Sequence, residues 1–402
     1  ITLVRRRRII LAACCSTHAI QDGLSATLYV IMPILAQTFG LSFVQIGILR
    51  SVNNGAMALF EMLSGVLAER VGERNLLVFG LICAGLGYVG MVAADIIWVI
   101  AICLFVIGLG GAFQHALCSS IVSKTFEDKG RRSALGFYNS SGDVGKLAFT
   151  VLFSLATAIG ISWQGVSGAL GGVALTGAVA VFLTLLTLSA GSQKLLVSDF
   201  KEDGSALGWG IENKLGFMAL CLAVFLDTAI QAGFLTFLAF FIAAKDVPLS
   251  IATLAVTLTL VGGVLGKVAC GFLAERMGTR LAFTLVQCLS AIGILAVFAS
   301  GKFLAFVLLP ILGAFLQGST SITYGVVSDL VHRDRVSRGF AAIYTVSSLS
   351  ALVGPISFGF LSDYYGIDIA MYTMATVSLL SIPPIFLLKP KQVQIKLLQF
   401  FK

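Results

Sequence analysis

His18 and Asp22 stand four residues apart, one helical turn, so an imidazole and a carboxylate share a face and can hold a proton between them. Asp143 and Lys146, three apart, share a face in the same way, and Asp227 and Gln231 repeat the one-turn spacing. With Gln114 beside His115, a lone Arg50, Gln317 and the tyrosines Tyr29, Tyr138, Tyr324 and Tyr344, the chain has groups to bind an anion, donate hydrogen bonds and move a proton. Each group also has a plainer reading. His18 and Asp22 could be a structural hydrogen-bonded pair, and Asp143 and Lys146 could simply neutralise one another. Arg50 could reach outward along its apolar stem, His115 could be satisfied by packing, and tyrosines are common at membrane interfaces.

What these residues mean depends on the solvent around them. With 58% hydrophobic and 11% charged residues and a mean hydropathy of +0.99, the chain has too little polar surface to cover a water-soluble core of its size. It reads as an integral membrane protein of all-α class. Twelve apolar runs of roughly 20 residues, each long enough for about 30 Å of hydrocarbon, divide six and six. Residues 1–190 form a first half, 191–213 a polar cytoplasmic linker, and 214–402 a second half with a short tail. The Arg5–Arg8 run is followed by an apolar stretch too long for a cleaved leader and is read as the start of a retained first helix.

Of the 27 Lys and Arg, Arg50, Lys146 and Lys267 fall inside spans, Lys245 and Lys302 on one side, and the remaining 22 on the other. The positive-inside rule then places both termini in the cytoplasm. The net charge of +8 is a topology signal and calls for no nucleic-acid partner. Eight cysteines all lie in apolar spans without a Cys-x-x-Cys pair, so neither a disulfide nor a zinc framework is expected. No Walker loop, dinucleotide turn or metal-ligand cluster is present. No cofactor, metal or enzymatic activity is therefore expected, and any energy must come from an ion gradient.

Counting inward at about 1.5 Å per residue places His18, Asp22, His115, Asp143, Lys146, Asp227 and Gln317 roughly 14 to 21 Å from the inner end of their helices. An ionised group at that depth is costly unless paired or wetted, so these residues default to a polar pathway between helices.

One pattern occurs twice. Gly-x-Leu-Ala-Glu-Arg-x-Gly-x-Arg runs from Gly65 to Arg74 and again from Gly271 to Arg280, closing an apolar run at the same place in each half. Four residues before each motif the charges are opposite, Glu61 in the first copy and Lys267 in the second.

Twelve spans in two pseudo-symmetric six-helix halves, the mid-chain linker and the doubled turn resemble the major facilitator superfamily, over the whole chain. More narrowly, His18-x-x-x-Asp22, the phrase Leu41-Ser42-Phe43-Val44-Gln45-Ile46-Gly47 and Gln114-His115 resemble the fosmidomycin-resistance group of efflux proteins. Phe149-Thr150 stands where that group's Gly-Pro is expected. The resemblance implies a monomeric transporter of the bacterial inner membrane, working by alternating access on a small-molecule substrate and coupled to protons.

On depth and resemblance together, His18, Arg50, Gln114, His115, Tyr138, Lys146, Gln231, Gln317 and Tyr344 are expected to meet substrate. Asp22 and Asp227 are expected to carry the proton. The motif residues Glu69, Arg70, Arg74, Glu275, Arg276 and Arg280 are expected to gate, as are Glu61 and an Asp143–Lys267 pair forming an inner gate. A small organic anion or zwitterion fits this balance of bases and acids. Drug export by proton antiport, a lipid flippase and a non-transporting sensor are the alternatives.

Overall fold

A computed structural model describes residues 2–126, 131–192, 209–332 and 336–388. The first half contains α1 (Leu3–Phe39), α2 (Phe43–Val71), α3 (Glu73–Gly90), α4 (Ile97–Ala112), α5 (His115–Thr125), α6 (Arg131–Ala158) and α7 (Trp163–Thr187). The second contains α8 (Lys214–Ala243), α9 (Leu249–Ala252), α10 (Leu254–Met277), α11 (Thr279–Ala299), α12 (Lys302–Leu330), α13 (Val336–Tyr365), α14 (Ile367–Leu380) and α15 (Ile382–Ile385). Because α4/α5, α9/α10 and α14/α15 are each one interrupted crossing, these fifteen helices make twelve crossings. Among the described residues, ten of these are long and apolar enough to span a membrane by length and composition alone. The other two, α2 and α6, carry Arg50 and Glu61, and Asp143 and Lys146.

The sequence reads the fourth, eighth and twelfth crossings as continuous, and the structure breaks all three. In the fourth, Gly110 presses on α3 so closely that an added Cβ would lie 2.4 Å from the Gly80 carbonyl oxygen. The helix opens just beyond, at Phe113 and Gln114. In the twelfth, Pro383 and Pro384 lack the N–H groups that a continuous helix needs, and α15 restarts with them.

Duplication is written into the backbone. The two motif copies are offset by 206 residues (65 to 271), and left-handed turn residues recur at that offset. Gly40 (φ 63°) pairs with Asp246 (φ 60°), Gly72 (φ 90°) with Gly278 (φ 81°), and Gly160 (φ 92°) with Gly366 (φ 88°). At the Gly40 position the second copy uses aspartate, one of the few side chains that tolerate this region.

Helices pack through small residues, which permit close approach where lipid supplies no hydrophobic drive. On α10, a Cβ on Gly262 would lie 1.8 Å from the Pro310 carbonyl oxygen of α12, and one on Gly266 1.9 Å from that of Ala314. Across α1 and α6, a Cβ on Gly145 would lie 2.0 Å from the Ala19 carbonyl oxygen.

The halves close on each other at the end where α1 passes into α2. Ser42 and Gln45 form a capping box that starts α2. Asp363, near the end of α13, accepts the Phe43 and Val44 N–H groups on its two carboxylate oxygens, each at 2.8 Å. Farther in, Ser51 donates to the Leu352 carbonyl at 2.5 Å and Asn54 to that of Ala351 at 2.8 Å.

Replacing Gly262 by Val should force α10 off α12 and cost about 1–3 kcal/mol or more, read as a lower melting temperature in detergent. Gly172→Ala, whose Cβ meets nothing within 4 Å, should leave it unchanged. Equal behaviour of the two variants would refute the close-packing account.

Candidate functional site

Between the halves lie two adjoining cavities that share Asp22, Met57, His115, Lys146 and Ala351. The deeper, about 270 Å³, lies toward the sealed end and reaches Tyr29, Arg50, Asn54, Gln114 and Gln317. The larger, about 440 Å³, runs toward the motif turns and reaches His18, Glu61, Asn139, Asp143, Lys267, Tyr324 and Tyr344.

Asp22 is the hub. Its Oδ2 lies 3.0 Å from Lys146 Nζ and 3.3 Å from His18 Nε2, and its Oδ1 lies 3.6 Å from His115 Nε2. Glycine brings α6 near enough for this, since a Cβ on Gly142 would fall 2.5 Å from His18 Nε2 and 2.8 Å from Asp22 Oδ2. Lys146 lies 3.4 Å from Asp143, its neighbour on the same helix, and Asp143 lies 2.6 Å from Lys267 across the boundary between halves. Each member of the Asp143/Lys146 pair thus has a shorter bond to another helix than to its own neighbour. The Asp143–Lys267 pair lines the larger cavity.

Hydrogen-bond counting gives His18 a particular character. Its Nδ1 is 2.7 Å from the Tyr138 carbonyl oxygen, which can only accept, so Nδ1 carries a hydrogen. Its Nε2 faces a carboxylate oxygen. That contact is a hydrogen bond only when a further proton sits on His18 or on Asp22. The geometry allows the imidazole and the carboxylate to share one proton, beside the Lys146 ammonium.

Two histidines and an aspartate with donor atoms within 4.8 Å of one another also have the spacing of metal ligands. The Lys146 ammonium, 3.0 Å from Asp22, already supplies the cation, and a divalent ion there would meet its repulsion.

Arg50 is 3% exposed, with its guanidinium 4.1 Å above the Tyr29 ring and Nη1 donating to Asn53 Oδ1 at 3.1 Å. Among the described residues no carboxylate lies within ion-pair distance, and its Nε has no partner. Gln114 donates to the Tyr138 hydroxyl at 2.6 Å, leaving the other end of its amide without a partner, and Gln317 Nε2 is likewise unspent.

Other expected residues lie elsewhere. Tyr138 is buried at 1% exposure, stacked on His18 at 4.3 Å, behind the cavity wall. Asp227 is enclosed in the second half, accepting from Gln287 at 2.6 Å, Ser319 at 2.7 Å and Gln231 at 2.9 Å. It ties α8, α11 and α12 together, and neither it nor Gln231 lines the two cavities. Tyr344 lines the larger cavity, edge-on to Tyr324.

At the motif turns, Arg74 approaches Phe182, Arg276 covers Phe272 of its own helix and Arg280 donates to the Leu388 carbonyl. Arg70 and Glu275 are exposed, and the Glu69 side chain lies outside the described residues. Among the described residues the paired motif carboxylate is Glu73, 3% exposed, taking Lys124 at 2.8 Å and the Ser120 hydroxyl.

Sequence reasoning missed Asn53, Asn54, Gln287, Ser319, Glu73 and Asp363. Only Glu73 carried a signal, an acid in the first turn of a helix.

A family model described as Major Facilitator Superfamily matches residues 14–245 and 220–399. The chain is 26% identical over 382 residues to an uncharacterized MFS-type transporter, YfnC, of Bacillus subtilis (strain 168), covering 93% of this chain and 90% of that protein. It is 25% identical over 329 residues to the class E tetracycline resistance protein of Escherichia coli, covering 78% of each. In structure it resembles a bacterial homologue of the human lysosomal transporter Spinster, with a TM-score of 0.80, 17% identity, and 95% and 96% of the two chains covered. Twelve crossings in two halves, a polar cavity between them and these similarities lead to one assignment: the chain belongs to the major facilitator superfamily of membrane transporters.

Proposed function

We propose that the protein is a proton-coupled secondary transporter of a small organic anion or zwitterion, with Arg50 as the anion anchor and the His18–Asp22–Lys146 cluster as the proton-responsive group. The observation that carries this reading is Arg50, a buried guanidinium facing a cavity between the halves, with no carboxylate among the described residues within ion-pair distance. A buried charge is costly without a counter-charge, so a substrate carboxylate would complete the site. The broken fourth crossing supports it, since α5 begins at His115 and directs its N-terminal dipole into the same space.

Coupling follows from the sharing of Asp22. Protonating the His18–Asp22 pair weakens the hold on Lys146 and raises the positive charge facing an anion. Proton and anion therefore favour each other's binding, and the effect is reciprocal. With the termini in the cytoplasm, the sealed α1/α2 end is the outer face and the structure is inward-open. Asp363 then acts as an outer latch, and the Asp143–Lys267 pair links the halves at mid-depth. Asp227 we read as a structural tie of the second half.

Export of an antibiotic-like compound is the second reading, favoured by the likeness to a tetracycline resistance protein. It predicts proton movement in the opposite sense.

In proteoliposomes, organic anions should evoke proton co-movement, and Asp22→Asn should lower it at least tenfold. An undiminished response removes Asp22 from coupling, and cation-evoked counter-movement alone would favour export. Lys267→Gln should impair folding or transport more than the Asp143→Asn/Lys267→Gln double variant does, with about 1–3 kcal/mol of coupling in a double-mutant cycle. Additive effects would refute the pair. Asp363→Ala removes a cap worth roughly 1 kcal/mol and should shift the two-state ratio about fivefold toward outward-open. Cysteine accessibility at the α1/α2 end reads the change, and unaltered labelling would exclude the latch.

A further inference from the structure

The cavity around Arg50 contains more than a positive charge. One end of the Gln114 amide and Gln317 Nε2 are buried without a hydrogen-bond partner, as is Arg50 Nε, and all three residues line the same 270 Å³ space. Turning the Gln114 amide over exchanges which of its ends is unspent, and one end remains so either way. Buried polar groups without partners are uncommon in folded proteins and costly, about 1–3 kcal/mol each. Gln114 is 1% exposed and Arg50 3%, so bulk solvent does not stand in for the missing partners.

We infer that the natural substrate is a hydroxylated carboxylate, of the sugar-acid kind, whose carboxylate meets Arg50 and whose hydroxyls meet Gln114 and Gln317. The inference rests on the anion-transport reading. A hydroxyl both donates and accepts, so it satisfies either end of an amide, which neither an alkyl chain nor a second carboxylate does. The Tyr29 ring beneath Arg50 holds the guanidinium in place and leaves its free edge for the ligand. A plain fatty acid would fill the volume yet leave the amides unpaired. A site with buried polar groups rejects a ligand that lacks the matching hydroxyls far more strongly than an apolar pocket rejects one with extra hydroxyls.

The test is calorimetric titration of the purified full-length protein with matched probes. Gluconate and quinate carry both features, hexanoate and cyclohexanecarboxylate the carboxylate alone, and sorbitol the hydroxyls alone. At least one hydroxylated acid should bind tenfold or more tighter than its deoxygenated counterpart and than sorbitol. Gln317→Leu should erase most of the advantage over the deoxygenated acid while leaving the latter's affinity within about threefold. Gln114→Leu should do the same, and where the lost Tyr138 bond prevents folding, Gln317→Leu carries the test alone. Arg50→Gln should erase the preference for acids over sorbitol.

Deoxygenated acids that bind as tightly as hydroxylated ones, and evoke proton movement, would overturn the substrate class and leave the anion transporter standing. If no acid of either kind binds or moves protons, the anion reading falls and the class inference with it.

Discussion

A carboxylate buried between membrane helices must be paired or hydrogen-bonded, and Asp22 lies against three other groups at once. Lys146, His18 and His115 come from α6, α1 and α5, so one side chain fixes the relative placement of three helices. In the proposed cycle a single proton would turn a balanced cluster into one with an excess cation. Through Lys146 and Asp143 the disturbance reaches Lys267, which belongs to the other half. Stability and responsiveness therefore come from the same contacts, as expected where buried ionic groups serve a switch.

Among the described residues the second half carries no such cluster. Its buried acid, Asp227, is surrounded by amides and a hydroxyl. Neutral donors can hold a carboxylate in place but do not exchange charge with it. The duplicated backbone, with turns recurring at one offset, has thus been filled with unlike chemistry. The first half supplies the His18–Asp22–Lys146 cluster, Tyr29 and Arg50, and the second supplies Lys267, Gln317, Tyr324 and Tyr344.

The twelve crossings were legible because hydropathy and length decide them in a bilayer. The His18–Asp22 pair was legible because both residues lie on one helix face, where spacing alone determines proximity. Lys146 was read beside Asp143 for the same reason, but its shorter bond is to Asp22 on another helix. That bond depends on how closely α1 and α6 cross, which Gly142 and Gly145 set and no local pattern reveals. The meeting of Asp143 and Lys267 could be reached from sequence only through their similar depth and the broken symmetry beside the motif. Its position in the cavity wall depended on the tilt of whole helices. The break at Gln114 was hidden because a run of glycines in an apolar span serves equally for tight packing. Asp363 gave no sign, being an exposed acid near a helix end, where acids are common.

The water around the Asp363 cap has a consequence for rate. When the α2 terminus parts from α13, the Phe43 and Val44 N–H groups and the carboxylate are already at the surface, so hydration replaces the bonds as they break. The exchange costs only roughly 1 kcal/mol, because the polar groups of the cap need no prior desolvation. Burying the same contact would have made closure firmer and reopening slow. Set in solvent, it makes closure selective in geometry and inexpensive to reverse, which suits a molecule that must change shape in every cycle.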